Sequence, residues 1–151
     1  MKYVYAVELY KQCKEETSAL FAAHYSEVAP DSLDGLLDPD YAQYEWLCNN
    51  GMLHIVTVRC DGILIGYHVS FVKPQIHRRT TLTAHSDIFY IKPEHRKGMV
   101  GYKLFAYVEE TLRRKGVKWI YTGVKLAKDV GPLLERQGHK ENERMFLKIL
   151  K

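Results

Sequence analysis

Cysteine is scarce and scattered in this chain of 151 residues: Cys13, Cys48 and Cys60 are odd in number and show no paired spacing. Such a set builds neither a disulfide framework nor a cysteine zinc site, and it fits a reducing compartment. Long apolar runs are missing too, since none approaches the roughly 18 residues that a membrane span needs. Met1 to Leu9 alternate polar and apolar side chains, without the basic stretch, apolar core and small-residue cleavage site of an export signal. A cytoplasmic protein with no membrane partner is expected. The seven histidines have no ligand spacing such as His-x-x-x-His on one helix, so no metal is expected. Nor is there charge of one sign: 22 Lys and Arg residues are mixed with 18 acids, for a net charge of +4. That balance does not indicate nucleic acid, although it suits an anionic ligand. What is present, 46% hydrophobic and 26% charged residues with no repeat or low-complexity linker, predicts one domain over residues 1–151 with a real core.

Periodicity divides the chain into elements. Tyr3, Tyr5, Val7 and Leu9 recur at period two and predict a first strand. Residues 14–25, with Ala19, Leu20, Ala22 and Ala23 as the apolar positions, predict a helix that Pro30 stops. Asp38-Pro39-Asp40 reads as a helix cap, followed by an apolar face of Tyr41, Tyr44, Trp46, Leu47 and Cys48 that Asn50-Gly51 closes. Leu53 to Arg59 and Ile63 to Val72 predict two strands joined by an Asp61-Gly62 hairpin, with Lys73-Pro74 ending the second. A further strand over 81–91, stopped by Pro93, completes an antiparallel meander. After Gly98 a helix turns Leu104, Phe105, Val108 and Leu112 inward, until Lys115-Gly116 ends it. A strand over 117–124, a short helix over 129–137 and a last strand over 144–150 follow. This order predicts an α/β or α+β sheet with helices on its faces.

The segment from Asp87 to Gly101 carries the most chemistry. It reads as a buried strand leading through a basic, glycine-containing turn into a helix N-terminus, which offers backbone N–H groups and positive charge to a diphosphate. It lacks the Gly-Lys-Ser/Thr of a P-loop and the three glycines of a dinucleotide fingerprint. Arg96 and Gly101 instead occupy the first and last places of a pattern that resembles motif A of the GNAT family of N-acetyltransferases: Arg or Gln, any two residues, Gly, any residue, then Gly or Ala. Met99 stands where the middle Gly is usual, with Gly98 one place earlier. Leu133-Leu134-Glu135-Arg136-Gln137-Gly138-His139 resembles motif B, and the order of elements extends the resemblance over nearly the whole chain. The chain is most similar to short acetyltransferases of this family encoded by tailed phages, which would place it in the cytoplasm of a bacterial host.

The resemblance implies a mixed, mostly antiparallel central sheet with helices on both faces, and acetyl-CoA held in a notch where the fourth and fifth strands splay apart. It implies that the backbone of Phe89, Tyr90 and Ile91 pairs with the pantetheine arm. The N–H groups of Lys97, Gly98, Met99, Val100 and Gly101 would hold the pyrophosphate, with Tyr102 on the first helical turn and charge from Arg96, Lys97 and Lys103. Pairing through sheet edges, common in this fold, makes a homodimer an expectation.

Acetylating an amine requires removal of a proton, because an alkyl ammonium with a pKa near 10 is mostly charged at pH 7. Asp87 is the first candidate base and His85 the second; at i and i+2 of a strand they share a face. The family's usual acid for the leaving thiolate is a Tyr four residues before the motif B Gly, where this chain has Leu134; Ala127 falls near the usual Asn. Tyr90, Tyr102 and Tyr121 are the candidate substitutes, and backbone amides near Tyr90 are expected to polarise the thioester carbonyl. His24 and Glu27, three apart on the first helix, are candidates to line an acceptor pocket, and His77 with Arg78 and Arg79 forms a basic patch suited to an acidic acceptor. The expected function is acetyl-CoA-dependent N-acetylation, by direct transfer in a ternary complex, of an amine on a small molecule or protein. The alternative, suggested by Leu134 and Met99, is a catalytically weak or inactive binding or structural module of phage origin with the same fold.

Overall fold

The computed structural model describes residues 1–28 and 37–150. The elements run in the order β1 (Tyr3–Val7), α1 (Tyr10–Val28), α2 (Tyr41–Asn49), β2 (Leu53–Cys60), β3 (Ile63–Gln75), β4 (Arg78–Ile91), α3 (Val100–Arg114), β5 (Trp119–Thr122) and α4 (Gly131–Arg136). One 3-10 turn, Pro93–His95, lies between β4 and α3. The five strands form a single sheet in the order β1-β2-β3-β4-β5. Neighbours are antiparallel through β4, and β5 runs parallel to β4.

Alternation along the strands sends side chains to two faces, and each face has its own helices. On one, Val56, Val58, Val72 and Ala84 pack against Val100, Leu104, Val108 and Leu112 of α3. On the other, Ile55, Tyr67, Val69 and Tyr90 meet Tyr10, Cys13 and Phe21 of α1, with Tyr44 and Leu47 of α2 at the margin. Each fully buried side chain of this kind contributes about 1.5–3 kcal/mol, so truncating fully buried Leu104 removes part of the frame that seats α3. The β2–β3 hairpin turns on Asp61 and Gly62, whose φ values of 49° and 87° are both left-handed, as a two-residue turn of the primed type demands.

Several boundaries differ from the sequence reading. Helix α1 begins at Tyr10 and runs to Val28, because its buried stripe is Tyr10, Cys13, Thr17, Phe21 and His24. Ala19, Ala22 and Ala23 face solvent. The polar members of the stripe are tolerated inside because Thr17 donates to the Cys13 carbonyl at 2.9 Å and His24 pairs with Tyr67. The expected stop at Pro30 lies outside the described residues. In α2, Asp40 is the cap, accepting from the Gln43 N–H at 2.9 Å. Tyr44 and Leu47 turn inward while Trp46 and Tyr41 are exposed.

Pro74 does not end β3. It pairs with Leu82 beside an irregularity in the ladder, beyond the point where Leu53 of β2 meets Phe71. There β3 has become an edge, and a missing N–H costs nothing to the sheet. The strand expected over 144–150 does not form: residues 139–150 belong to no element, and β5 closes the sheet at its edge.

Candidate active site

Two features of β4 open a site beside it. Val69 pairs with Ile88 and Ser70 with Ser86, so Asp87 is the extra residue of a β-bulge. A bulge bends its strand and re-aims the side chain at that point. The ladder to β5 runs only from Thr83–Trp119 to Ser86–Thr122. From Asp87 to Ile91, therefore, the β5 side of β4 has no strand partner. A cavity of about 740 Å³ occupies this notch, lined by Asp87 to Ile91, by Phe21, His24 and Glu27 of α1, by Tyr44 and Leu47 of α2, and by Gly101, Leu104 and Phe105 of α3. Gly123, Lys125, Lys128, Val130 and Leu133 form the wall after β5.

Asp87 stands within this cavity and accepts a hydrogen bond from the Tyr44 hydroxyl at 3.0 Å. Burial pushes the Asp87 carboxyl above the usual range, while the Tyr44 hydrogen bond and the Lys125 charge oppose that rise. A raised carboxylate pKa brings a base closer to working pH. Burial, together with the Asp87 charge, drives the Tyr44 phenol well above its ordinary value, so Tyr44 remains the donor.

Farther along β4, His24 stacks on Tyr90 with ring centroids 5.1 Å apart, and its Nδ1 lies 2.9 Å from the Tyr67 hydroxyl. Burial lowers the His24 pKa, with Arg96 and Lys125 adding to the effect and Glu27 opposing it, so a neutral ring is favoured. Arg96 donates from Nη2 to both Glu27 oxygens at 2.8 Å and from Nε to the Ile91 carbonyl at 2.7 Å. Its guanidinium also lies 5.4 Å from the centroid of Tyr90. Arg96 thus ties α1 to the end of β4. The charge that the sequence reading assigned to phosphate is already matched by Glu27.

The turn ends at the N-terminus of α3. Gly98 has φ 72°, which explains the glycine one place early in the motif. Val100, Gly101 and Tyr102 open the helix, and N–H groups of a first turn have no partner within it. A Cβ at Gly101 would meet the Leu133 and Ile91 side chains at 3.6 and 3.8 Å, ordinary contact distances. All three residues line the cavity, so glycine here keeps space open on the cavity side. Lys97 is exposed beside this helix end.

The structure brings together Asp87, Phe89, Tyr90, Ile91, Arg96, Gly101, His24 and Glu27 around one cavity. Other sequence candidates lie elsewhere. His85 stacks on Tyr121 of β5 at 4.7 Å between centroids and is not part of the cavity wall, because it lies in the stretch of β4 that β5 covers. His77 sits at the tip of the β3–β4 hairpin, away from the cavity lining. Lys97, Gly98, Met99, Val100, Tyr102 and Lys103 form the turn and helix start without lining the cavity. Leu134 is buried in the packing of α4. No cysteine reaches the cavity, and burial pushes the Cys13 thiol up to about 12, helped by Glu8. Among the described residues no cluster of His, Cys, Asp and Glu could hold a metal, and no helix is long and apolar enough to cross a membrane.

Tyr44, the partner of Asp87, and Gly66 are not among the sequence candidates. A Cβ at Gly66 would collide with the Tyr90 carbonyl oxygen, so β3 can approach β4 there only with glycine. An isolated glycine inside a strand run is the signal for such an approach.

A mixed sheet splayed beside a bulge, with a glycine-bearing turn feeding a helix N-terminus, is the architecture of an acyltransferase of the acetyl-CoA-using kind. The model of the acetyltransferase (GNAT) family matches residues 6–138, and the chain belongs to that family. No curated protein matches it. Among solved structures it is similar to the aminoglycoside acetyltransferase meta-AAC0020 from an uncultured soil metagenomic sample, in complex with trehalose. The two share 15% identity over 99% of this chain and 97% of that one, with a TM-score of 0.76. It is also similar to the ribosomal-protein-alanine N-acetyltransferase of Brucella melitensis biovar Abortus 2308, at 15% identity over the whole of both chains and a TM-score of 0.75. A predicted acetyltransferase from Clostridium acetobutylicum, solved with acetyl-CoA, has 12% identity over 99% of this chain and 96% of that one, with a TM-score of 0.72. At these identities the likeness is one of fold.

Proposed function

We propose that the chain is an acetyl-CoA-dependent N-acetyltransferase that transfers the acetyl group directly to an amine in a ternary complex. The observation that carries this reading is the unpaired stretch of β4 from Asp87 to Ile91. It runs along a cavity with a candidate base at one end and a turn into a helix N-terminus at the other. Acetyl-CoA supplies the acetyl group as a thioester.

The exposed edge of β4 at Phe89 and Ile91 suits the extended pantetheine arm and its N–H groups suit the thioester carbonyl, while the Tyr90 backbone faces Tyr67 of β3. The opening N–H groups of α3, with Lys97 and Lys103 beside them, suit the pyrophosphate. Ile91 offers its N–H alone, since its carbonyl already accepts from Arg96. Asp87 takes the proton that the acceptor nitrogen loses, and Tyr44 holds the carboxylate for that task. Tyr90 and His24 form a stacked wall that separates the reacting region from the Glu27–Arg96 pair.

Around Asp87 the described walls are apolar: Phe21, Leu47, Phe71 and Ile88, with the carboxylates of Asp38 and Asp40 also on the lining. A cavity of about 740 Å³ falls within the range of small-molecule sites. This supports a small primary amine on an apolar body as the acceptor, in preference to a protein side chain. Service to a tailed phage in the cytoplasm of a bacterial host belongs to the same reading and rests on the sequence resemblance alone.

Isothermal titration with acetyl-CoA and thiol release with an amine panel test it. Binding followed by amine-dependent thiol release is expected. A folded protein that does not bind acetyl-CoA overturns the reading, and binding without turnover of any amine leaves a CoA-binding module instead.

A further inference from the structure

The chain that leaves β5 makes a tight turn beside the cavity. Lys125 and Lys128 pair across it as an isolated antiparallel bridge, with the Lys128 N–H donating to the Lys125 carbonyl at 3.0 Å. Residues opposed in such a bridge send their side chains to one face, where two like charges destabilise each other. Both lysines line the cavity. Among the described residues neither has a carboxylate partner, whereas Arg59, Arg96, Arg113 and Arg114 each do. An anion held between the two ammonium groups relieves their repulsion through charge-assisted hydrogen bonds.

The same cavity supplies the other sign and an apolar part. The Lys125 charge is felt at both Asp87 and His24, and the Lys128 charge at Glu27. Glu27 is already held by Arg96, which leaves Asp87 to meet a cation. Phe21, Leu47, Phe71 and Ile88 complete the lining around Asp87. A carboxylate, an ammonium pair and apolar walls in one cavity fit a molecule that carries an amine, an anionic group and a hydrocarbon body. The cofactor does not bring that anion to Asp87. Its pantetheine arm is uncharged, and the proposed function gives its pyrophosphate to the N-terminus of α3.

We infer that the acceptor is an amino acid with an apolar side chain, its amine directed to Asp87 and its carboxylate held by Lys125 and Lys128. This rests on the proposed N-acetyltransferase function and narrows it to one substrate class. The amine nitrogen bonds to the thioester carbon, the carbon–sulfur bond breaks, Asp87 takes the proton that the nitrogen loses, and CoA leaves as the thiolate. The products are an N-acetyl amino acid and CoA.

Thiol release with phenylalanine and leucine is compared with phenethylamine and isopentylamine, which differ from them only in lacking the carboxylate. kcat/KM should favour the amino acids by at least about tenfold, through KM. In Lys125→Gln that ratio should fall toward one, and Lys125→Arg should restore most of it. Acetyl-CoA affinity should change by less than about threefold in either variant. Amines used as well as the amino acids, or a preference that survives the double variant Lys125→Gln with Lys128→Gln, overturns the proposal and leaves the N-acetyltransferase standing. Acetyl-CoA binding weakened about tenfold by the double variant overturns it too, and assigns the lysines to the cofactor. Titration of phenylalanine and phenethylamine into CoA-loaded protein reads the same preference without turnover, and equal or absent binding of the two overturns the proposal. A folded protein that does not bind acetyl-CoA overturns this proposal and the N-acetyltransferase together.

Discussion

The Tyr44 hydroxyl donates to Asp87 Oδ2 at 3.0 Å, joining α2 to the bulge of β4 at the point where the sheet opens. That bond favours the carboxylate form and works against burial, which raises the pKa. Removing it with Tyr44→Phe should raise the Asp87 pKa further. The acid limb of the kcat/KM profile should then move to higher pH, while acetyl-CoA affinity stays unchanged. A limb that does not move would separate Tyr44 from the base.

Asp87→Asn tests the base itself. General base catalysis is typically worth about 10²–10⁴-fold, and kcat should fall by an amount in that range. Acetyl-CoA binding, measured by titration, should change by less than a factor of about three, because the proposed function assigns Asp87 to the acceptor and not to the cofactor. An active Asp87→Asn enzyme would assign the proton to another group.

Gly101 offers a test of the cofactor turn without disturbing the fold. A Cβ there meets only ordinary contacts, but it sits among residues that line the cavity. Gly101→Ala should fold with nearly normal melting and bind acetyl-CoA at least about tenfold more weakly, a loss of about 1.4 kcal/mol. Normal affinity would move the pyrophosphate away from this end of α3.

Much of this arrangement was legible in local sequence. The Asp61-Gly62 turn, the inward residues of α3 and the helix start after Gly98 are written in turn chemistry and periodicity, and they appear where expected. What was not legible depends on pairing at a distance. The bulge at Asp87 is a property of the register between β3 and β4, so no pattern within β4 alone separates His85 from Asp87. The Arg96–Glu27 pair joins residues 69 apart in the chain, and a motif cannot show that its arginine has a carboxylate partner. The strand over 144–150 has strand-like residues, but a strand requires a neighbour, and β5 of the same chain is not used.

That pair makes a prediction of its own. Arg96 holds the Glu27 carboxyl below its ordinary pKa through a hydrogen bond, against an opposing burial effect. A depressed carboxylate contributes stability above its unfolded pKa of about 4.3 and loses it as pH falls through the folded value. For a partly exposed pair the contribution is about 1 kcal/mol. Glu27→Gln should therefore melt a few degrees lower at pH 7, and the difference from wild type should shrink toward zero below about pH 4. A difference that persists in acid would show that packing, and not charge, is lost.

Buried histidines set a second pH dependence, with its own window. His54 lies against Thr111 of α3 at 2.9 Å, and burial, aided by the Lys115 charge, holds its pKa down at about 4. His68, between Ser70 and Ser86, is held down at about 3, by burial first and the nearby His54 second. Both groups therefore take up protons in the unfolded chain near pH 6.5, well before they do so in the folded one. Stability is complete above that pH and falls with acidification, by up to about 1.4 kcal/mol per pH unit for each histidine. Urea unfolding should lose roughly 3 kcal/mol between pH 7 and pH 5, a range above the carboxylate titrations. His54→Gln, which keeps a donor for Thr111, should remove about half of that slope. An unfolding free energy that is flat from pH 7 to pH 5 would mean that these rings are protonated as readily in the folded protein as in the unfolded chain.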